Sequence, residues 1–109
     1  MPINISALRE LVAMDESDPV ARFALGQRLF SESSSRDGVN EAALHLEAAH
    51  DLDPNHLATY QVLGQVYIQQ NRIEEAREIL EEGIRRASRE QQGSGHDLVP
   101  IMEGLLESL

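Results

Sequence analysis

Few side chains in this chain could do chemistry, and their spacing argues against most of it. Four histidines, His45, His50, His56 and His96, are the natural metal ligands and proton shuttles. His45 and His50 are five residues apart, which sets them on different faces of a helix, and no His-x3-His spacing aims two imidazoles at one ion. Asp51, Asp53 and His56 gather at one turn and could take a cation from solution, but neutral histidines at helix ends and surfaces are the plainer reading. With no cysteine in the sequence, thiolate nucleophiles, disulfides and Cys-based zinc frameworks are excluded. There is no Gly-rich phosphate loop and no Gly-x-Ser-x-Gly elbow, and the carboxylates fall on helix faces where water leaves their pKa untuned. The expectation is a non-enzyme with no catalytic residue, no metal and no cofactor. Arg85, Arg86 and Arg89 form the one basic cluster; they follow Glu78, Glu81 and Glu82, and Glu81 with Arg85 and Glu82 with Arg86 are i,i+4 pairs oriented to support a helix. Arg85-Arg86-Ala87-Ser88 also matches a basophilic kinase site, a motif short enough to arise by chance.

The scaffold around these residues is helical by composition. Apolar residues make up 41% of the 109, aromatics only 4%, and Leu, Ala and Ile supply most of the remainder, which points to an all-α class. The length suits a single domain over 1–109. A formal net charge of −10 repels phosphate backbones and anionic headgroups, so neither nucleic acid nor a membrane surface is an expected partner. The stretch from Ile3 to Met14 is interrupted by Arg9 and Glu10 and does not read as an export signal. No run approaches the roughly 20 apolar residues of a membrane-spanning helix. A cytoplasmic, reducing setting fits these features.

The pattern repeats. Leu25-Gly26 recurs as Leu63-Gly64, Ala42-x3-Leu46 as Ala76-x3-Leu80, and Asp18-Pro19 as Asp53-Pro54. The offsets are 38, 34 and 35 residues, so about four extra residues lie in the first copy, within a Ser-Glu-Ser-Ser-Ser-Arg-Asp-Gly segment of loop-forming composition. Ala7, Leu11 and Pro19 keep the spacing of Ala42, Leu46 and Pro54, a half copy ahead of the first repeat. Glycine in a helix interior costs about 0.5–1 kcal/mol, so Gly26 and Gly64 call for a close helix approach, with Ala42 and Ala76 as the small partners at the crossing. Helices are expected near 4–14, 19–32, 40–52, 56–70, 73–90 and 97–108. The segment Gln91-Gln92-Gly93-Ser94-Gly95 reads as a flexible break before a final apolar stripe of Leu98, Ile101, Met102, Leu105, Leu106 and Leu109.

These residues resemble the tetratricopeptide repeat family in its small bacterial-type form, where a Leu-Gly pair and an aromatic on one helix are joined to Ala-x3-aromatic and a closing Pro on the next. The second repeat fits well with Tyr60, Leu63, Gly64, Tyr67, Ala76 and Leu80, and Ser88 replaces the closing Pro. The first fits with Leu25, Gly26, Ala42, Leu46, Ala49 and Pro54, while Arg22 and Leu29 stand at the aromatic places. The resemblance implies a right-handed α-solenoid of antiparallel helix pairs. Its parts are an N-terminal half-repeat helix (4–18), repeat 1 with its loop insertion (19–54), repeat 2 (55–90) and a capping helix (96–109).

The resemblance also implies a function, a protein-protein interaction adaptor. Its concave groove, lined by the first helix of each pair, takes a peptide or helix of a partner protein that is basic or neutral rather than acidic. By register the groove residues are Val20, Phe23, Gln27, Phe30 and Ser31, then Ala58, Gln61, Gln65, Ile68 and Gln69. Some members clamp a partner's carboxylate with basic and Asn residues; Phe23, Gln27 and Val62 occupy those places here, so that mode is not expected. The alternative is a structural module that forms a homo-oligomer, such as a homodimer, through the groove or the C-terminal helix.

Overall fold

The structure is a computed structural model that describes residues 3–89 and 95–109. The expected break at Gln91 to Ser94 lies outside the described residues. All six elements among the described residues are helices: α1 (Ile5–Met14), α2 (Pro19–Glu32), α3 (Arg36–Leu52), α4 (Leu57–Gln69), α5 (Ile73–Arg89) and α6 (Gly95–Glu107). They divide into two compact units, 1–54 and 55–109.

Side-chain caps set the N-terminal boundary of each helix in the first unit. The Asn4 carboxamide oxygen accepts from the Ala7 N–H at 2.8 Å and starts α1. Asp18 accepts from the Val20 N–H at 2.9 Å, and Pro19 stands at the first helical position, where its missing N–H costs nothing. The serine segment corrects the sequence reading. Ser35 Oγ accepts from the Gly38 N–H at 3.1 Å and starts α3 at Arg36, four residues earlier than expected. Residues suited to a loop are equally suited to an N-cap, and the cap wins here. The inserted residues therefore lengthen helices. α2 runs six residues beyond Gly26 where α4 runs five beyond Gly64; α3 has six residues before Ala42 where α5 has three before Ala76. The α2–α3 and α4–α5 connections are equal at three residues each.

In the second unit α4 ends in a left-handed residue, Asn71, with φ 61°. The Arg72 N–H reaches the Tyr67 carbonyl at 2.8 Å and the Asn71 N–H reaches the Ile68 carbonyl at 2.9 Å, a two-bond helix stop in which Asn stands in the place usually held by Gly. The Arg72 guanidinium lies 4.3 Å from the Tyr67 ring centre and pairs with Glu75, tying this stop to the first turn of α5.

Each unit is built round one helix pair. In the first, α2 packs along α3, and Leu8 and Val12 of α1 join Ala21, Leu25, Leu29 and Ala42 in the core. In the second, α4 packs along α5 round Tyr60 and Leu80, and Met102 of α6 is buried among them. The short connections make both pairs antiparallel. The glycines mark where the paired helices come closest. A Cβ on Gly26 would lie 2.6 Å from Leu46 Cγ, and one on Gly64 2.5 Å from Leu80 Cδ2. The side chain that fills the glycine's space is thus the leucine one turn beyond Ala42 or Ala76. The alanines are fully buried beside it.

Candidate functional site

A protein surface that binds another chain needs accessible side chains on a rigid support, and α4 shows which of its residues meet that condition. Leu57, Thr59, Tyr60, Val62, Leu63, Gly64, Val66 and Tyr67 are buried, so the accessible residues of this helix are Ala58, Gln61, Gln65, Ile68 and Gln69. Their spacing of three and four makes a single stripe. Gln69 is exposed and the other four are half-buried, with Ile68 leaning on the core of its unit.

On α2 the corresponding positions are more mixed. Val20 is 68% exposed, an unusual degree for a large aliphatic, and Gln27 is exposed on the same face two turns along. Phe23 is half-buried. Phe30 is half-buried too and packs against the Leu8, Val12 and Leu25 cluster. Gln27 and Ser31 line an open cleft of about 450 Å³ together with Ile3, Leu8, Ala24 and Arg28, all within the first unit.

Outside these stripes the signature residues are structural. Leu25, Ala42, Leu46, Tyr60, Leu63, Ala76 and Leu80 are essentially sealed from solvent, Tyr67 nearly so, and Pro54 is exposed at the end of α3's connection. The family model for the tetratricopeptide repeat matches residues 39–93, slightly more than half of the chain. The chain belongs to the tetratricopeptide repeat family. No curated protein matches its sequence. Tetratricopeptide repeats generally mediate protein–protein interaction and are typically non-catalytic. No helix among the described residues is long and apolar enough to cross a membrane, and no three of their His, Asp and Glu side chains gather to hold a metal ion.

One polar cluster in this tetratricopeptide repeat protein goes beyond the sequence reading. Arg9 on α1 forms a two-pronged ion pair with Glu41 on α3. His45 Nε2 lies 3.4 Å from the same carboxylate, and Arg22 on α2 places Nη1 3.2 Å from His45 Nδ1. The guanidinium can only donate, so Nδ1 accepts and the proton sits on Nε2, directed at Glu41. Three helices thereby meet at the Glu41–His45 pair beside a cavity of about 300 Å³. The Glu41–His45 spacing of four was visible in the sequence; that α1 and α2 would each bring an arginine to it was not.

Burial pushes the His45 pKa down, against the pull of Glu41 and with the help of the Arg22 charge. The Arg9 hydrogen bond holds Glu41 below the usual carboxylate range. For His45 the folded pKa lies below the unfolded value of 6.5, so its stabilising effect is whole above 6.5 and is lost as pH falls below it. For Glu41 the effect is present above 4.5 and is lost as pH falls through the lower folded pKa. The urea midpoint should accordingly drop between about pH 7.5 and about pH 5.5, and His45→Gln should flatten that drop. An unchanged pH dependence in the variant would show that His45 does not carry it.

Two further polar side chains also have structural partners. Arg86 pairs with Glu82 at 3.7 Å, donates to Asn55 Oδ1 at 3.1 Å and stands 5.9 Å from the Tyr60 ring centre. His56 Nδ1 and Thr59 Oγ1 are 2.7 Å apart at the start of α4.

Proposed function

We propose that this tetratricopeptide repeat protein is a cytoplasmic adaptor that binds a peptide or helix of a partner protein along the accessible faces of α2 and α4, its first helices. The observation that supports this reading is the single accessible stripe of α4. Ala58 and Ile68 give it apolar contact, and Gln61, Gln65 and Gln69 each offer two donors and an acceptor. Amides in a row suit the backbone of an extended or helical segment better than they suit a charged small molecule. Val20, Phe23 and Gln27 offer similar chemistry on α2, where Phe23 would act as the aromatic anchor. With a net charge of −10, the surface favours a basic or neutral partner over an acidic one.

The test compares partner recovery from the source cell extract. Phe23→Ala removes an anchor of the kind that contributes about 2 kcal/mol or more at interface centres, roughly a thirtyfold loss of affinity. Gln65→Glu should weaken recovery less, by removing donors and adding negative charge. Glu78→Gln, exposed on α5, is the control. Circular dichroism should show unchanged helix content in all three. If every form recovers the same partners equally, the α2 and α4 faces are not the binding surface.

A further inference from the structure

The second helix of each pair turns three residues toward the first. In α3 they are Ala42, Leu46 and Ala49, and in α5 Ala76, Leu80 and Gly83; all six are buried. α1 carries the same spacing at Ala7, Leu11 and Met14, yet there Leu11 is 42% exposed and Met14 81%. Leu46 and Leu80 fill the space beside Gly26 and Gly64, whereas Leu11 stands open. Among the described residues α1 thus presents the ridge of a second helix without a first helix laid on it. The cleft of about 450 Å³, walled by Ile3 and Leu8 from the α1 side and by Ala24, Gln27, Arg28 and Ser31 of α2, adjoins this ridge.

The surroundings state the charge of what would fit. Glu10 borders the ridge, and Asp15 and Glu16 are exposed at the C-terminal end of α1, where unpaired helix carbonyls add negative potential. The nearby cations are engaged: Arg9 with Glu41, Arg28 with Glu32 at 3.1 Å, and Arg22 of α2, beside the end of α1, with the Glu16 carbonyl at 3.0 Å and His45 at 3.2 Å. We infer that the Ala7, Leu11 and Met14 ridge of α1 docks an amphipathic helix of a partner protein, one carrying Gly or Ala opposite Leu11 and Lys or Arg on its flanks. The steric half of this description is copied from the two pairs inside the chain; the charge half comes from the acidic rim. A second copy of the chain fits less well. The open side of α6 does offer Gly104, beside which a Cβ would meet nothing within 4 Å, but Glu103 and Glu107 are exposed on that same side and would face Glu10. The ridge is separate from the α2 and α4 faces of the proposed function, and only Gln27 and Ser31 of the neighbouring cleft are shared with them, so either reading can fail alone.

The probe is a fluorescein-labelled synthetic peptide with the sequence of residues 17–34, the chain's own α2, carrying Val20→Lys and Glu32→Lys to supply basic flanks. Anisotropy on titration with the whole chain should show saturable binding that weakens as salt rises from about 0.05 M to about 0.5 M. Leu11→Glu in the chain should weaken it about tenfold or more, as should Gly26→Leu in the peptide. Leu44→Glu, at a leucine 67% exposed on α3, should leave it unchanged. Absence of saturable binding, or equal binding to the Leu11→Glu chain, overturns the inference. So does light scattering that finds a dimer which both Leu11→Glu and Gly104→Leu dissociate, because the ridge would then be covered by a second copy.

Discussion

Gly64→Leu should abolish the cooperative melt of residues 55–109, and Gly64→Ala should already lower it. Two effects oppose each other at this position. Alanine favours the helix by about 1 kcal/mol over glycine, while forcing extra carbon into a filled core costs about 1–3 kcal/mol. The geometry decides for the cost. The new Cβ would lie 2.5 Å from Leu80 Cδ2, 2.7 Å from Cγ and 3.2 Å from Cδ1, all inside the roughly 3.5–4 Å of ordinary carbon contact. Leu80 cannot swing away, because it is fully buried among Tyr60, Ala87 and Met102. A leucine adds three further carbons at the same point. A double-mutant cycle isolates the contact. Leu80→Ala alone should cost about 2–5 kcal/mol, and combined with Gly64→Ala the total should fall short of the sum by about 0.5–3 kcal/mol. If Gly64→Ala melts above the parent, or if the two changes add, the helices do not meet at this glycine.

The same contact explains why the fold could be read from the chain. A glycine in the middle of two helical patterns, each followed after a connection by Ala-x3-Leu, has few physical explanations other than two helices pressed together. The Asp18-Pro19 start of α2 was equally legible, since it depends on neighbours in sequence. What escaped depends on choices that local chemistry leaves open. Ser33 to Gly38 reads as a loop or as a cap, and only the packing of α3 against α2 selects the cap. Asn71 takes a left-handed turn that its sequence neighbours permit without requiring.

The candidate site was legible in a different measure. The positions of Ala58, Gln61, Gln65, Ile68 and Gln69 follow from the repeat register, because the register fixes which residues of α4 face α5. Phe23 and Phe30 did not separate in the sequence, where both looked like aromatics on one face. They separate in the structure because Phe30 leans on the core that α1 supplies to the first unit, so its loss would disturb folding and obscure any effect on binding. The Arg9, Glu41, His45 and Arg22 cluster was out of reach, as it requires knowing that α1 and α2 both converge on the Glu41–His45 pair of α3.

Removing residues 95–109 should destabilise the second unit and leave it prone to associate, because α6 completes a core that α4 and α5 leave open. Met102 is fully buried, and Val99 and Leu106, three residues before and four after it, are half-buried against the same cluster. The approach is close enough to need a glycine on the other side: a Cβ on Gly83 would lie 2.7 Å from Met102 Sδ and 2.6 Å from Tyr60 Cβ. Without α6, Tyr60, Leu80 and Ala87 would face water as one apolar patch of the kind that drives association. Point variants separate this role from that of a loosely attached tail. Met102→Ala should cost about 2–5 kcal/mol, whereas Ile101→Ala, one residue away and 46% exposed, should stay within about 0.5 kcal/mol of the parent. Thermal melts and light scattering on the truncated chain and both variants check the expectation. A truncated chain that remains monomeric and melts with the parent would free α6 from any part in the core and leave its apolar side available to a partner.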